Sequence, residues 1–366
     1  MSTLRIILTV GIIAIIIGVG VGGYVLLNSK RTISSSVKPT NDISSALLHD
    51  KPTTESPEPK KQTTIFGGDV MLSRVVGQQL VKRNDYAWPF RELAPLMSSA
   101  DITAINLESP FSKTGDHVVL TGSFSFDADP RAVAGLTLAG VDVATLANNH
   151  FGNQGIQGMR DSFAILKDAG IEYAGAGNDI NEAHQPVIIE RDGVRYGFLS
   201  YAYPEDMYVA SETTPGVANM NIDLLKKDVI ALRPQVDIVV VQMHAGTEYV
   251  TEPNWQQTGF ARAAADAGAD LVIGHHPHWV QTTEIYQGKP IIYSLGNLVF
   301  DQMFSRETQQ GALAKVTVEN KKISQIEIIP IRIYEYGQPR VITDEVERME
   351  VLKRMGLEAP FVITTK

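Results

Sequence analysis

The chain has 366 residues, a net charge of −9 and 44% hydrophobic residues, enough apolar side chains to fill one large domain or two ordinary ones. The acidic balance, with pI near 5.4, offers no electrostatic footprint for a nucleic-acid backbone, so no nucleic-acid partner is expected. Cysteine is absent, which excludes disulfides, thiolate metal sites and cysteine nucleophiles and leaves His, Asp, Glu and Asn as metal ligands.

Ile6 to Leu27 is a run of 22 residues without a charge, and a helix of that length, at about 1.5 Å per residue, crosses a hydrocarbon core of about 30 Å. Residues 1–30 are therefore expected to form one transmembrane helix. A cleaved signal peptide is the competing reading. However, the run exceeds a usual signal core, and Tyr24, Leu26 and Leu27 stand where a small-x-small cleavage site would lie. Arg5 precedes the run while Lys30 and Arg31 follow it, so flanking charge nearly ties on orientation. Residues 31–62 are rich in Ser, Thr, Pro and charge without periodicity, the composition of a disordered tether.

From residue 63 onward strand-like apolar runs alternate with amphipathic helical ones. Strands are expected near 64–69, 102–107, 142–147, 171–175, 196–201, 237–243, 270–275 and 290–295. Between them, "GMRDSFAILKDAG" and "NWQQTGFARAAADAGAD" read as helices, each reaching a glycine suited to a C-cap. This alternation implies α/β layers. The stretch "GALAKVTVENKKISQIEIIPIRI" from Gly311 then switches to period two, with a turn near Asn320, and reads as an antiparallel hairpin. The domain is drawn at 63–335. In the extension at 336–366, Val346, Met349, Leu352 and Met355 recur every three residues, as in an amphipathic helix docked on the domain.

The polar residues gather at strand ends. Asp69 follows "TTIFGG", Asn106 and Glu108 end "ITAINLE", and Asn148, Asn149 and His150 end "VATLANNH". His244 ends "DIVVVQMH", His276 and His278 follow "ADLVIGH", and Asn297 follows "PIIYSLGN". Each alone is more simply a turn, a cap or a hydrogen-bonded structural residue. Together, six strands delivering carboxylates, amides and imidazoles to one sheet edge describe a ligand crevice with a donor set for hard or borderline divalent ions. His49, His117 and His184 fall in linker or loop positions and receive no role.

Within "GHHPHW", Pro277 biases His276 toward an extended conformation, in which residues two apart share a side. His276 and His278 are thus expected to act together, with His275 facing away as support, and Gly274 is expected to let the strand turn sharply.

The segments "GGDVMLSR", "AINLESPFS", "LANNHFGNQG", "HAGTEYV", "AGADLVIGHHPHWVQ" and "YSLGNLVFDQ", in that order over residues 65 to 302, resemble the poly-γ-glutamate capsule-synthesis family of the CapA type. That family lies within the calcineurin-like metallophosphoesterase superfamily. The resemblance implies a four-layer αββα sandwich of two mixed sheets behind one transmembrane helix. It also implies a cytoplasmic N-terminus, an extracytoplasmic soluble domain at a bacterial cell membrane, and a part in making or exporting a surface polymer. Carried onto this sequence, it implies that Asn149, His244 and His276 hold one divalent ion, Asp69 and His278 a second, with Glu108 between them and His150 as the general acid. Asn106, Asn148, Glu248, His275, Asn297 and Asp301 would orient the ligands.

Zinc, manganese or iron would suit these donors, at one or two sites. The sequence departs from the phosphoesterase pattern at Met71, where a histidine is expected and a thioether is a poor ligand, and at Glu108, where the usual acid is Asp. Three activities are carried forward: metal-assisted hydrolysis or transfer at phosphoester or amide bonds, a non-catalytic accessory binding the polymer or its synthase complex, and a secreted nucleotidase or phosphodiesterase. Expected partners are the membrane, a polymer-synthase complex, and an anionic polymer or phosphoester substrate.

Overall fold

The structure, a computed structural model, describes residues 61–114, 124–203 and 208–364. The anchor expected at 1–30 and nearly all of the linker expected at 31–62 lie outside the described residues, as do His49 and His117. Among the described residues no helix is long and apolar enough to cross a membrane.

The chain first lays down β1 (Gln62–Val70), β2 (Ile102–Leu107), β3 (Val143–Thr145) and β4 (Glu172–Ala174), four parallel neighbours in one sheet. It then builds a second sheet from β5 (Val187–Arg191), β6 (Val194–Ala202), β7 (Ile238–His244), β8 (Leu271–His275), β9 (Thr283–Tyr286) and β10 (Lys289–Ile292). In space their order is β9-β10-β8-β7-β6-β5. Finally it returns to the first sheet with β11 (Asn297–Val299), β12 (Gln310–Glu319), β13 (Lys322–Tyr334), β14 (Gln338–Val341) and β15 (Phe361–Thr364).

The first sheet therefore runs β14-β13-β12-β1-β2-β3-β4, with β11 added beside β1 and β15 beside β13. Both sheets are mixed, since β12 pairs antiparallel with β1, and β5 and β9 antiparallel with their neighbours. The hairpin β12–β13 turns at Asn320 and Lys321, whose positive φ values of 52° and 64° suit a tight two-residue connection.

Three apolar cores account for the layering. One lies between the sheets, where Phe66 and Ala104 of the first meet Phe198, Val240 and Ile273 of the second, and the rings of Phe66 and Phe198 stand 6.4 Å apart. A second covers the other face of the first sheet, packing Ile65 and Ile105 against Val76 and Leu80 of α1 (Arg74–Arg83) and Met159 and Leu166 of α2 (Gly155–Asp168). The third covers the other face of the second sheet. There Val239, Val241 and Val272 meet Leu225 and Val229 of α3 (Ile222–Leu232) and Phe260 and Ala264 of α4 (Trp255–Ala267). Helix α4 starts on a capping box between Asn254 and Gln257 and stops at Gly268, whose φ is 116°.

The tail is built into this framework. β15 pairs with β13, and α5 (Glu345–Arg354) sends Val351, Leu352 and the following Met355 into the core between the sheets. Val346, expected on the docked stripe, is instead 71% exposed. A strict three-residue repeat drifts around a helix of 3.6 residues per turn, so its first member rotates off the face that the later ones bury.

Two glycines let the strands reach the site end. A Cβ on Gly68 would lie 1.9 Å from the carbonyl oxygen of Gly296, and one on Gly274 1.9 Å from that of Tyr293. Gly274 therefore makes no sharp turn, as the sequence suggested; it sits inside β8 and allows another backbone to approach. We expect Gly68→Ala to destabilise the fold by about 3 kcal/mol through this overlap. Gly259→Ala, on the exposed side of α4 with open space around it, should stabilise by about 0.5–1 kcal/mol. Urea unfolding of both variants checks the pair, and equal effects would contradict it.

Candidate metal centre

The parallel strands β1, β2, β7 and β8 all end at the same edge of the sandwich, and their last residues meet there. Asp69 is fully buried at the end of β1. Its Oδ1 accepts from Asn106 Nδ2 at 2.8 Å and its Oδ2 from the backbone N–H of His276 at 3.2 Å. His275 Nδ1 lies 3.4 Å from Oδ1 and His278 Nδ1 3.5 Å from Oδ2. Burial by itself pushes this carboxyl up, but the hydrogen bonds from His275 and His278 and the nearby imidazoles outweigh it and hold Asp69 well below its ordinary value.

Glu108, one residue beyond β2, is the opposite case. It is also fully buried, yet neither carboxylate oxygen has a hydrogen-bond partner. Burial, then the charges of Asp69 and Glu248, push it well above its ordinary value, with Arg74 opposing. Asp69, Glu108 and His244 each offer a donor atom within 4.8 Å of the others.

The neighbouring imidazoles show what Glu108 faces. His278 Nε2 and His150 Nε2 lie 3.8 and 3.9 Å from Glu108 Oε1. Asn297 spends its amide N–H on the carbonyl of Thr308 and on Gln302, so its Oδ1, 2.9 Å from His278 Nδ1, must accept a proton from that ring. Asn153 Oδ1 accepts the backbone N–H of Phe126 at 2.7 Å and therefore also accepts from His150 Nδ1 at 3.0 Å. Both rings thus have Nδ1 committed to an amide oxygen and present Nε2 to the carboxylate from beyond hydrogen-bond reach. A buried carboxylate left without a partner beside Asp69 and His244 suits a cation, and these donors are nitrogen and oxygen, as a divalent transition ion accepts.

His244 is bracketed by Asn149 Oδ1, 2.9 Å from its Nε2, and Asn106 Nδ2, 3.2 Å from its Nδ1. Its ring centroid is 4.8 Å from that of His276. Asn148 donates to the carbonyl of Leu107 at 2.8 Å and to Asn106 Oδ1 at 3.3 Å, fixing the Asn106 amide. A cleft of about 20 Å³ lined by Asn149, Tyr203, His244, Ala245, Gly246 and His276 opens here, room for about one water-sized group. A larger cavity of about 530 Å³, lined by Glu172, Tyr173, Val187 and Ile188 among others, includes none of these residues. Size there does not mark the chemistry.

The histidine run differs from its expected geometry. His276 and His278 have φ of 96° and 57°, so the chain coils left-handed on either side of Pro277 instead of staying extended. His275 consequently faces Asp69 and does not turn away, while its Nε2 rests 3.0 Å from Gln242 Oε1. Two residues expected to orient ligands sit farther out. Asp301 pairs with the Arg74 guanidinium and accepts the N–H of Val75 at 3.0 Å, and Glu248 is exposed on the loop after β7. Met71 is buried in the core beneath the first sheet, its sulfur 3.1 Å from the N–H of Ser73.

Residues 63–302 match the family described as bacterial capsule synthesis protein PGA_cap. The chain belongs to that family. Capsule biosynthesis protein CapA of Bacillus anthracis is 31% identical over 81% of this chain and 74% of its own length. PGA biosynthesis protein CapA of Bacillus subtilis is 30% identical over 81% of this chain and 78% of its own length. Among solved structures, an NAD nucleotidase of Haemophilus influenzae aligns with a TM-score of 0.48 at 12% identity, over 81% of this chain and 63% of that one.

In this PGA_cap chain, sequence reasoning missed Arg74, Phe126, Asn153, Gln242 and Phe300. Arg74, Asn153 and Phe300 stand inside the quoted motifs, but an arginine opening a helix, an asparagine in a turn or a phenylalanine after a strand carries no chemical signature of its own.

Two predictions follow from the charges. In the metal-free protein, replacing the partnerless carboxylate by Glu108→Gln should raise stability at pH 8 by about 1–3 kcal/mol. The same change should abolish the rise in melting temperature that manganese or zinc gives the parent; a parent that melts unchanged with either ion would contradict the centre. Burial, the first cause in each case, pushes His150 and His276 down to about 4. The unfolded chain binds protons at these rings from the ordinary value of 6.5 downward while the folded one does not. Their stabilisation is therefore complete above pH 6.5 and lost as pH falls toward 4. Urea midpoints of metal-free protein should fall over that window, with a shallower slope in His150→Asn.

Proposed function

We propose that this protein acts in poly-γ-glutamate-type surface-polymer synthesis or export, and that its metal centre hydrolyses or transfers phosphoester or amide bonds. The observation that carries the chemical part is Glu108, a buried carboxylate without a partner, faced by the Nε2 atoms of His150 and His278 and by Asp69. Membership of the PGA_cap family and the names of the two Bacillus relatives support the polymer. Residues 6–27 would anchor the chain, leaving the domain outside the membrane.

As the family resemblance implies, Asn149, His244 and His276 would hold one ion and Asp69 with His278 a second, with Glu108 shared; the donor atoms of Asp69, Glu108 and His244 lie within 4.8 Å of one another, and one or two ions of zinc, manganese or iron would suit these donors. Such an ion supplies Lewis acidity toward a phosphoryl or acyl oxygen. The chain's own groups do the rest. Asp69 keeps its charge at neutral pH because its neighbours donate to it, and Asn106 and Asn297 fix the imidazoles of His244 and His278. His150 has Nδ1 committed to Asn153, leaving Nε2 free to carry a proton to a leaving group once an anionic substrate offsets the burial that keeps the ring neutral.

A non-catalytic role in binding the polymer or its synthase is the second reading, favoured by Met71: the position where a further ligand was expected lies in the core.

The reading is tested on the chelated and then reconstituted protein, with a phosphodiester and a γ-glutamyl amide as substrates. We expect Asp69→Ala to lose both bound metal and turnover. His150→Ala should keep its metal and lose about 10²–10⁴-fold in kcat. Stoichiometric metal with no turnover on either substrate would favour the accessory role, and less than about half an equivalent of metal would remove the centre.

A further inference from the structure

The residue left unexplained by this reading is Arg74. It begins α1 in a left-handed conformation, φ 51°, and its guanidinium is almost fully buried against the Asp301 carboxylate, with Nε 3.2 Å from Oδ2 and Nη2 on Oδ1. The carboxylate also accepts the N–H of Val75 at 3.0 Å, which ties the guanidinium to the first turn of its own helix. The guanidinium carbon stands 4.9 Å from the ring centroid of Phe126 and 5.4 Å from that of Phe300. These two rings meet edge to face at 6.0 Å. Their other sides belong to the site: Phe126 stacks on His150 at 4.0 Å, and Phe300 lies 4.7 Å from His278.

We propose that Arg74, clamped by Asp301, is a positioning residue that wedges Phe126 and Phe300 against His150 and His278 and so sets the direction of the two imidazoles facing Glu108. The inference rests on the metal-centre reading and deepens it. A planar guanidinium can face aromatic rings while chelating a carboxylate, whereas an ammonium supplies the charge without the plane. Asp301 thereby acquires a role other than the one its sequence position suggested, since it orients the arginine and reaches the ligands only through it. The wedge comes from β1's own continuation and from the segment after β11, so it couples the histidines to the two strands that meet at Asp69 and Asn297.

The test uses the full 366-residue chain in detergent, with manganese alone as probe and its Kd read by calorimetry, so that no activity is needed. Arg74→Ala should weaken manganese binding about 10–100-fold, and methylguanidinium filling the vacated space should restore most of it. Arg74→Lys should recover only part. An Arg74→Ala protein that binds within twofold of the parent overturns the wedge, as does a lysine variant that recovers fully, since charge alone would then suffice. If Arg74→Ala does not fold, Phe300→Leu decides: it leaves the Arg74–Asp301 pair intact, and we expect about tenfold weaker binding, with an unchanged Kd overturning the proposal. A parent chain that binds no manganese removes the metal centre and the wedge together, whereas a parent that binds beside an equally tight variant removes the wedge alone.

Discussion

The approach of one backbone to three glycines holds the two sheets in register at the site. The segment from Tyr293 to Asn297 leaves the second sheet and enters the first. On the way the N–H of Leu295 donates to the carbonyl of Gly274 at 3.3 Å and the N–H of Asp69 to that of Gly296 at 3.0 Å. A Cβ at Gly68, Gly274 or Gly311 would fall within about 2 Å of carbonyl oxygens in this segment, so side chains there would drive it away from β1, β8 or β12. Because it passes between the strand ends, Asn297 pairs with Asp69 along the backbone and reaches His278 with its side chain. Parallel strands deliver polar residues to a common edge, but this crossing brings the edges of two separate sheets onto one cluster.

At that cluster two buried carboxylates take opposite states. Asp69 collects an amide, a backbone N–H and two imidazoles, and its charge is stabilised; Glu108 collects nothing, and its charge is opposed by burial and by Asp69. Desolvating a charge costs several kcal/mol unless it is paired, so the protein alone leaves Glu108 in an unfavourable ionised state. A cation reverses the balance, since the same burial that opposes a lone charge strengthens its attraction to an opposite one.

Much of the framework was legible in the sequence because its signals are local. All eight expected strands overlap observed ones, β1 to β4, β6 to β8 and β10, since buried parallel strands read as continuous apolar runs, whereas the antiparallel edge strands β5 and β9 were not expected. The short β11, β14 and β15 were not legible: three or four residues carry no period, and each exists because a neighbouring edge accepts it. At the site, residue types at strand ends were informative while conformation was not. The proline rule gave an extended His276, yet the observed φ of 96° is set by the hydrogen bond of its N–H to Asp69, 207 residues earlier in the chain. The Arg74–Asp301 pair was equally hidden, because nothing in either local segment announces a partner 227 residues away.

Strained residues ring the site of Glu108. Arg74, Tyr249, His276 and His278 all have positive φ, a conformation that costs about 1–3 kcal/mol for a residue with a side chain. Each is held by a contact at the site: Arg74 by Asp301, Tyr249 by its N–H on the carbonyl of Pro277 at 2.9 Å, His276 by Asp69, and His278 by Asn297. Neither oxygen of Glu108 takes part in these contacts, and both remain without a hydrogen-bond partner. The strain is therefore offset by contacts at the site, one of which, His278 with Asn297, also fixes a ring that faces Glu108. A cation would enter an arrangement that needs little rearrangement to receive it.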